Sequence, residues 1–235
     1  KTQPKYLNSP ETLIFEKREM LYNFSKAKSE IRKTGQVFLL EGFMDVIAAF
    51  QGNIKNGVAS MGTSFTHSQI QLLEKNTREL VICYDGDNPG QQAIFKSLTQ
   101  LKASALRLKI VMLPEKLDPD EYLRKYGAES FNHYLLTEQK SPFQFKEAFL
   151  KKTYDLDNEQ GKADYLKELV QEISTIPSVM ERDILLHQLV EKYQVSFDIL
   201  KSQLSQLTKE QQATQLKKVA DLSVSSLPTK KKLSL

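Results

Sequence analysis

A single cysteine, Cys83, stands in the 235 residues. That excludes a disulfide within the chain and any cysteine-built zinc site. Nowhere does the sequence run apolar for the roughly 18 residues a membrane helix needs, so no membrane partner is expected. The opening residues lack the charged, apolar and small-residue segments of a secretory leader, and the natural reading is cytoplasmic. No glycine-rich loop ends in Lys-Ser or Lys-Thr, which removes a P-loop nucleotide site. The three histidines, His67, His133 and His187, are scattered without metal-ligand spacing. No serine or cysteine sits in a nucleophile elbow. The chain opens on Lys1, without an initiator Met, and reads as an excised fragment.

What is present is an ordinary globular composition, 40% hydrophobic and 26% charged, with a net charge of +4. The charge is unevenly spread. Residues 1–36 hold eight basic and four acidic side chains, and residues 208–235 hold six and two. Residues 37–207 hold 19 basic and 23 acidic, a balance of −4. The basic character therefore belongs to the two ends and does not describe a basic groove in the centre.

From residue 36 to about 130 strand-like and helix-like segments alternate. Gln36–Leu40, Gly57–Ser60, Leu80–Tyr84 and Leu108–Leu113 read as strands. Phe43, Val46, Ile47 and Phe50 recur at helical spacing and predict a helix. Thr66 with Gln69 forms a capping box ahead of Ile70, Leu72 and Leu73. Pro89 suits a first helical turn, followed by Ile94, Leu98 and Leu101. Asp118-Pro-Asp-Glu121 supplies an N-cap, a proline and an acidic third residue, so it opens another helix. Alternation of this kind predicts an α/β fold, a mostly parallel sheet flanked by helices. After about residue 137 the strand signals stop. Leu166, Leu169, Val170 and Ile173 share a helical face. Met180, Ile184, Val190 and Tyr193 suggest a second helix, and Phe197, Leu200, Leu204 and Leu207 a third. The expected organisation is a lead-in over 1–36, an α/β domain over 37–136, a small α-helical subdomain over 137–207 and a polar basic tail over 208–235.

Carboxylates fall where such a sheet makes them converge. Glu41 follows the first strand, Asp85 and Asp87 the strongest one, and Asp118 and Asp120 the last. The carboxyl ends of parallel strands share one edge, which is where ligands bind. Asp45 lies one helical turn past Glu41 and can return to the same place. Each piece alone has a plain structural use: Asp-Gly-Asp as a turn, Asp118-Pro-Asp120 as a helix start. Together they form six hard oxygen donors at one edge, which need cations to balance them and suit Mg²⁺ or Mn²⁺. Two or more such ions could hold a triphosphate and stabilise a leaving pyrophosphate.

Glu41-Gly-Phe-Met-Asp45 followed by Asp85-Gly-Asp87 resembles the Toprim signature shared by primases, topoisomerases and related nucleases. Within that group the fuller match is to bacterial DnaG-type DNA primases. Pro4–Thr12, Phe15-Glu-Lys17, Leu21-Tyr22, Met61-Gly-Thr63, Tyr84–Asp87 with Gly90, and Leu113-Pro114 ahead of Asp118-Pro-Asp120 follow that family's order. The resemblance covers about residues 3–130, and the helical part fits the family's next subdomain without a sharp motif. Asn88-Pro89 departs from the basic or small residues common after the acidic pair.

The resemblance implies a Toprim-type sheet and DNA-templated synthesis of short RNA primers from ribonucleoside triphosphates. It makes Glu41 the acidic residue nearest the reacting groups, with Asp85 and Asp87 as principal metal ligands. Asp45, Asp118 and Asp120 complete the cluster. Lys5, Tyr6, Asn8 and Lys17 match positions that face nucleotide phosphates or template. It also implies a single-stranded DNA template as partner, a replicative helicase bound through a C-terminal domain absent from this chain, and zinc only in a domain likewise absent. A monomer is expected. The rival enzyme is a Toprim nuclease, which would share the acidic cluster but not the lead-in containing Lys5 and Lys17. A topoisomerase would need a supported tyrosine nucleophile, and a dehalogenase-like phosphatase would leave Glu41 without a role. The non-enzymatic rival is a nucleic-acid or helicase interaction module over residues 137–207.

Overall fold

Side chains alternate across the strands in a way that demands cover on both faces. Val37 and Leu39 on β1 (Gln36–Leu40), with Leu80, Ile82 and Tyr84 on β3 (Glu79–Tyr84), enter one core. Phe38, Leu40, Val81 and Cys83 enter the other. The computed structural model describes Thr12, residues 16–60 and residues 65–210. Its sheet has four parallel strands in the order β2-β1-β3-β4, where β2 is Gly57–Ala59 and β4 is Arg107–Met112. This is the parallel α/β sheet the alternation predicts, with strand bounds within a residue or two of those read from sequence.

Helices cover the two faces. On one side lie α1 (Phe24–Thr34), α3 (His67–Glu74), α4 (Asn88–Gln100) and α6 (Pro142–Leu150), which contribute Ile31, Leu73, Ile94 and Phe145 to the core. On the other lie α2 (Phe43–Gln51) and α5 (Pro119–Thr137), which contribute Val46, Ala49, Phe131 and Leu135. Gly127 (φ 82°, ψ 167°) breaks the helical path inside α5 at a conformation open mainly to glycine. Each edge strand is met by one isolated antiparallel bridge, Tyr22 with Ala59 on β2 and Lys140 with Ile110 on β4.

The expected caps form. The Thr66 hydroxyl accepts from the Gln69 N–H at 3.2 Å, and the Gln69 side chain accepts from the Thr66 N–H at 3.0 Å. Asp118 and Glu121 cap α5 in the same reciprocal way. The helix expected from Phe43, Val46, Ile47 and Phe50 forms as α2, with Ile47 and Phe50 40% and 57% exposed. The inward positions belong to Val46, Ala48 and Ala49, because small residues let the helix lie close against β1 and β2.

The chain divides into two compact units after Phe149, later than the boundary at 136 and 137 read from sequence. The cause is α6, whose Phe145 is fully buried in the sheet core and whose Phe149 packs on Phe95. The second unit holds α7 (Glu159–Ser174), α8 (Val179–Tyr193) and a further helix over residues 197–210. Leu166, Leu169, Val170 and Ile173 are buried as expected. The second expected helix forms as α8; of the residues that suggested it Tyr193 is buried, with Leu186 and Leu189, while Met180 and Ile184 are 75% and 52% exposed. The Tyr165 and Tyr193 hydroxyls hydrogen-bond at 2.7 Å inside this unit.

Candidate active site at the carboxyl edge of the sheet

Two of the four strands that end at this edge, β1 and β3, run directly into a carboxylate. Glu41 comes one residue after β1, and Asp85 one residue after β3. Asp87 is the N-cap of α4, and Asp118 the N-cap of α5. Asp45 sits in the first turn of α2. The glycines between them make the approach possible. A side chain at Gly90 would meet the Asp85 carbonyl oxygen at 2.2 Å, and one at Gly86 would meet the Leu113 carbonyl oxygen at 2.5 Å. The Asp85-Gly-Asp87 loop is thus pressed between the start of α4 and the end of β4. Next to it Glu115 (φ 56°) and Lys116 (φ 60°) take the left-handed conformation that non-glycine residues rarely adopt.

The six carboxylates feel one another. Burial, first, and then the negative charges of Glu41, Asp45, Asp118 and Asp87 together raise the pKa of Asp85 to about 7. Asp45 is raised to about 6 by burial, opposed by a hydrogen bond from the Gly42 backbone and reinforced by repulsion from Asp118, Glu41 and Asp120. Glu41 is raised by burial, relieved in part by a backbone hydrogen bond from Asp85, and raised again by Asp87. Every charge named in these three shifts is another carboxylate. Such a site stores repulsion that a bound cation would release.

Four of the six also have local work. Asp45 accepts from the Gly42 N–H at 2.8 Å, Asp87 from the Gly90 N–H at 2.8 Å and Asp118 from the Glu121 N–H at 2.7 Å. Asp120 pairs with Arg124. Consequently no group of three acidic, histidine or cysteine side chains is already arranged as a coordination sphere among the described residues. Asp85 differs. Its Oδ1 is buried and accepts no hydrogen bond, an arrangement that costs energy unless something electropositive meets it. The donor set, all hard oxygen, fits Mg²⁺ or Mn²⁺. The free oxygens beside Asp85 would come from Glu41 and Asp87.

Two buried glutamines hold the site in shape: Gln91, which sequence patterning passed over, and Gln69, which it read only as a capping residue. Gln91, 4% exposed, donates to the Gly86 carbonyl at 2.9 Å and so ties α4 to the acidic loop. Gln69, fully buried, donates to the Lys17 carbonyl at 2.9 Å and the Met20 carbonyl at 2.7 Å. That places the Lys17 turn beside the start of α3. A polar residue on the inward face of a helix was the available signal for both. Cys83 lies under the site, and burial, its largest influence, drives its thiol pKa far up, so it is inert. Lys5, Tyr6, Asn8 and Met61-Gly-Thr63 lie outside the described residues.

Comparison with known proteins places this geometry. The family described as Toprim-like matches residues 38–123, and that of the N-terminal domain of the DNA primase catalytic core matches residues 1–28. The family described as the DnaB-helicase binding domain of primase matches residues 143–198. A helicase-binding match therefore falls within this chain, where the sequence reading expected it beyond the end. A DNA primase of Enterococcus faecalis is 49% identical over 213 residues, 90% of this chain and 34% of the relative. One of Halalkalibacterium halodurans is 40% identical over 86% of this chain and 34% of its own length. The chain thus spans about a third of the curated relatives it matches. Among solved structures, a DnaG catalytic core superposes with a TM-score of 0.66 at 33% identity, covering 85% of this chain and 65% of that one. A DnaG primase catalytic domain bound to ssDNA gives 0.66 at 34% identity, covering 81% and 62%.

Proposed function

The chain belongs to the DNA primase family, and from that premise we propose that it carries the metal-dependent part of a centre for DNA-templated RNA primer synthesis. The observation that carries this reading is the half-buried carboxyl edge, where Asp85 holds a bare buried oxygen among like charges. Glu41, Asp85 and Asp87 would hold Mg²⁺ or Mn²⁺, with Asp45, Asp118 and Asp120 setting the surrounding field. Bound there, divalent ions supply charge neutralisation for a triphosphate and for the pyrophosphate that leaves.

The chain's own part is positioning. Glu41 leaves β1 beside the Asp85 backbone, which holds its carboxylate toward the shared edge. The caps at Asp45, Asp87 and Asp118 fix one oxygen of each and leave the other free. Gln91 and the packed glycines keep the Asp85-Gly-Asp87 loop from spreading under repulsion. Lys5, Tyr6, Asn8 and Lys17 are assigned to nucleotide phosphates and template, since a cation there offsets phosphate charge. For the whole protein, the partners are a single-stranded DNA template, ribonucleoside triphosphates and a replicative helicase. The family description on residues 143–198 supports the last of these. Replication work puts the protein in the cytoplasm, and no helix among the described residues is long and apolar enough to cross a membrane.

This chain alone should capture metal-bound triphosphate weakly and start few primers, because initiation needs two nucleotides and a template held in line. Single-stranded nucleic acid generally needs a basic groove, and residues 37–207 carry −4. The test compares this chain with the full-length protein on a single-stranded template with all four ribonucleotides. Primer synthesis by the full-length protein, absent from the chain alone, is the expected result. No synthesis by either would overturn the assigned activity, and equal dinucleotide yields would overturn the division of labour.

A further inference from the structure

The carboxyl edge is short of positive charge. The charges that shift Asp85, Asp45 and Glu41 are all carboxylates, and an arriving triphosphate adds more of the same sign. Among the described residues, Arg124 is the cation paired with one of the six: its guanidinium meets Asp120. Helix α5 builds that pair. Asp118 caps the helix and fixes where it starts. Asp120 lies in the first turn, and Arg124 follows one turn later on the same face. Helical side chains lean toward the N-terminus of their helix, which carries the guanidinium back toward the edge. Asp120 itself belongs to the cluster, since its charge reaches Asp45.

Given the metal-bound triphosphate proposed above for this edge, we infer that Arg124 is a further phosphate-binding residue, held on Asp120 until the triphosphate takes its guanidinium over. The Arg124 side chain is 70% exposed and that of Asp120 36%. A pair so open to solvent is weak, and it exchanges partners at little cost. The planar fork of N–H donors that fits a carboxylate fits a phosphate equally well, and the phosphate brings more charge to it. A pair of this order, acid four residues ahead of base, also supports a helix. That use is indifferent to metal and phosphate, whereas an exchange gives the two ligands opposite responses. While the pair is closed, Arg124 takes negative charge away from the edge and weakens it toward a cation. Once open, the same residue strengthens the edge toward a triphosphate.

Calorimetry reads both responses. Mn²⁺ is titrated into the metal-stripped chain above pH 7, and ATP or inorganic triphosphate into the chain saturated with Mn²⁺. Arg124→Ala and Arg124→Lys are compared with the unaltered chain. Lys102→Ala, an equal loss of charge at an exposed site beyond the C-terminal end of α4, is the control. Arg124→Ala should bind Mn²⁺ about two- to threefold more tightly, as expected when a surface countercharge is removed. It should bind both triphosphates at least about tenfold more weakly, on the scale of a lost hydrogen bond to a charged group. Arg124→Lys should keep the unaltered Mn²⁺ affinity and recover part of the triphosphate binding, and Lys102→Ala should change neither. Triphosphate affinity unchanged in Arg124→Ala would overturn the proposal and leave the reading of the edge intact. So would Mn²⁺ and triphosphate binding weakened together, which would reduce Arg124 to a helix support. Weaker ATP binding with inorganic triphosphate unaffected would move Arg124 to the nucleoside and overturn it too. An unaltered chain that binds Mn²⁺ but neither triphosphate would reject the reading of the edge and Arg124 with it.

Discussion

The two ends of one sheet treat a carboxylate in opposite ways. At the amino edge Glu79 sits at the start of β3 and is met by Lys109 at 3.2 Å and by the Gln36 amide. Although burial works against it, these partners hold its pKa below the usual value. Arg78 and Arg107 stand in the same cavity of about 590 Å³. At the carboxyl edge, five to six residues or about 16–20 Å further along the strands, Asp85 has carboxylate neighbours and a raised pKa. Fold demands explain the first arrangement, because a half-buried charge is matched by its own protein. They do not explain the second, where every charge named as acting on Asp85 among the described residues is another carboxylate. A polarised sheet of this kind marks its functional edge by what is left uncompensated.

The largest expected effect comes from removing charge at the carboxyl edge. In the full-length protein Glu41→Gln should lower primer synthesis by roughly 10²-fold or more, on the scale of losing an electrostatic element of a catalytic site. The melting temperature should not fall, since Glu41 is not among the core residues and the substitution removes its repulsion with Asp87. Near-normal dinucleotide synthesis by this variant would remove Glu41 from the reaction.

A smaller effect distinguishes the edges by pH. Asp85 and Asp45 have folded pKa values of about 7 and about 6, above their ordinary 3.8. Folding therefore favours their protonated forms, and the metal-free chain should gain stability from them as pH falls from about 7 toward 4. Glu79 has the reverse sign: its stabilising share is present at neutral pH and is lost as pH falls through its lowered folded pKa. Thermal melts in chelator should show Asp85→Asn reducing the acid-side gain and raising the melting temperature above pH 7. An unchanged pH profile in Asp85→Asn would contradict the repulsion argued here. The smallest effect belongs to the compensated edge, where Lys109→Ala should cost less than about 1 kcal/mol, as for other partly exposed pairs. A larger loss in chemical denaturation would show that the amino edge depends on its pairing more than the geometry implies.

Much of this was legible from residue types alone. Gln36–Leu40 and Leu80–Tyr84 announce themselves as strands through β-branched and apolar runs, and Thr66 and Asp118 announce helix starts through their side-chain oxygens. Glu41, Asp85 and Asp118 could be gathered at one edge because parallel topology puts strand ends together. Other features were hidden for physical reasons. Periodicity marks an apolar arc but not whether a neighbour covers it, so the spacing of Ile47, Phe50, Met180 and Ile184 predicts helices without showing that these four stay exposed. Ala48 and Ala49 take the inward positions through closeness, which hydropathy undervalues. The cap bonds of Asp45 and Asp87 depend on backbone geometry at Gly42 and Gly90. The cap made by Gln69 is legible but its bonds to the Lys17 and Met20 carbonyls are not, and Gln91 looks like a surface residue until its bond to the Gly86 carbonyl is seen.

The central claim is that the carboxyl edge is a divalent-cation site whose capacity rests on Asp85. Calorimetric titration of Mn²⁺ into the chelator-stripped chain above pH 7 tests it most directly, with Asp85→Ala and Lys109→Ala beside the unaltered protein. The account predicts binding by the unaltered chain and by Lys109→Ala, and affinity at least about tenfold weaker in Asp85→Ala with its fold intact. Equal Mn²⁺ affinities in Asp85→Ala and the unaltered chain would contradict it.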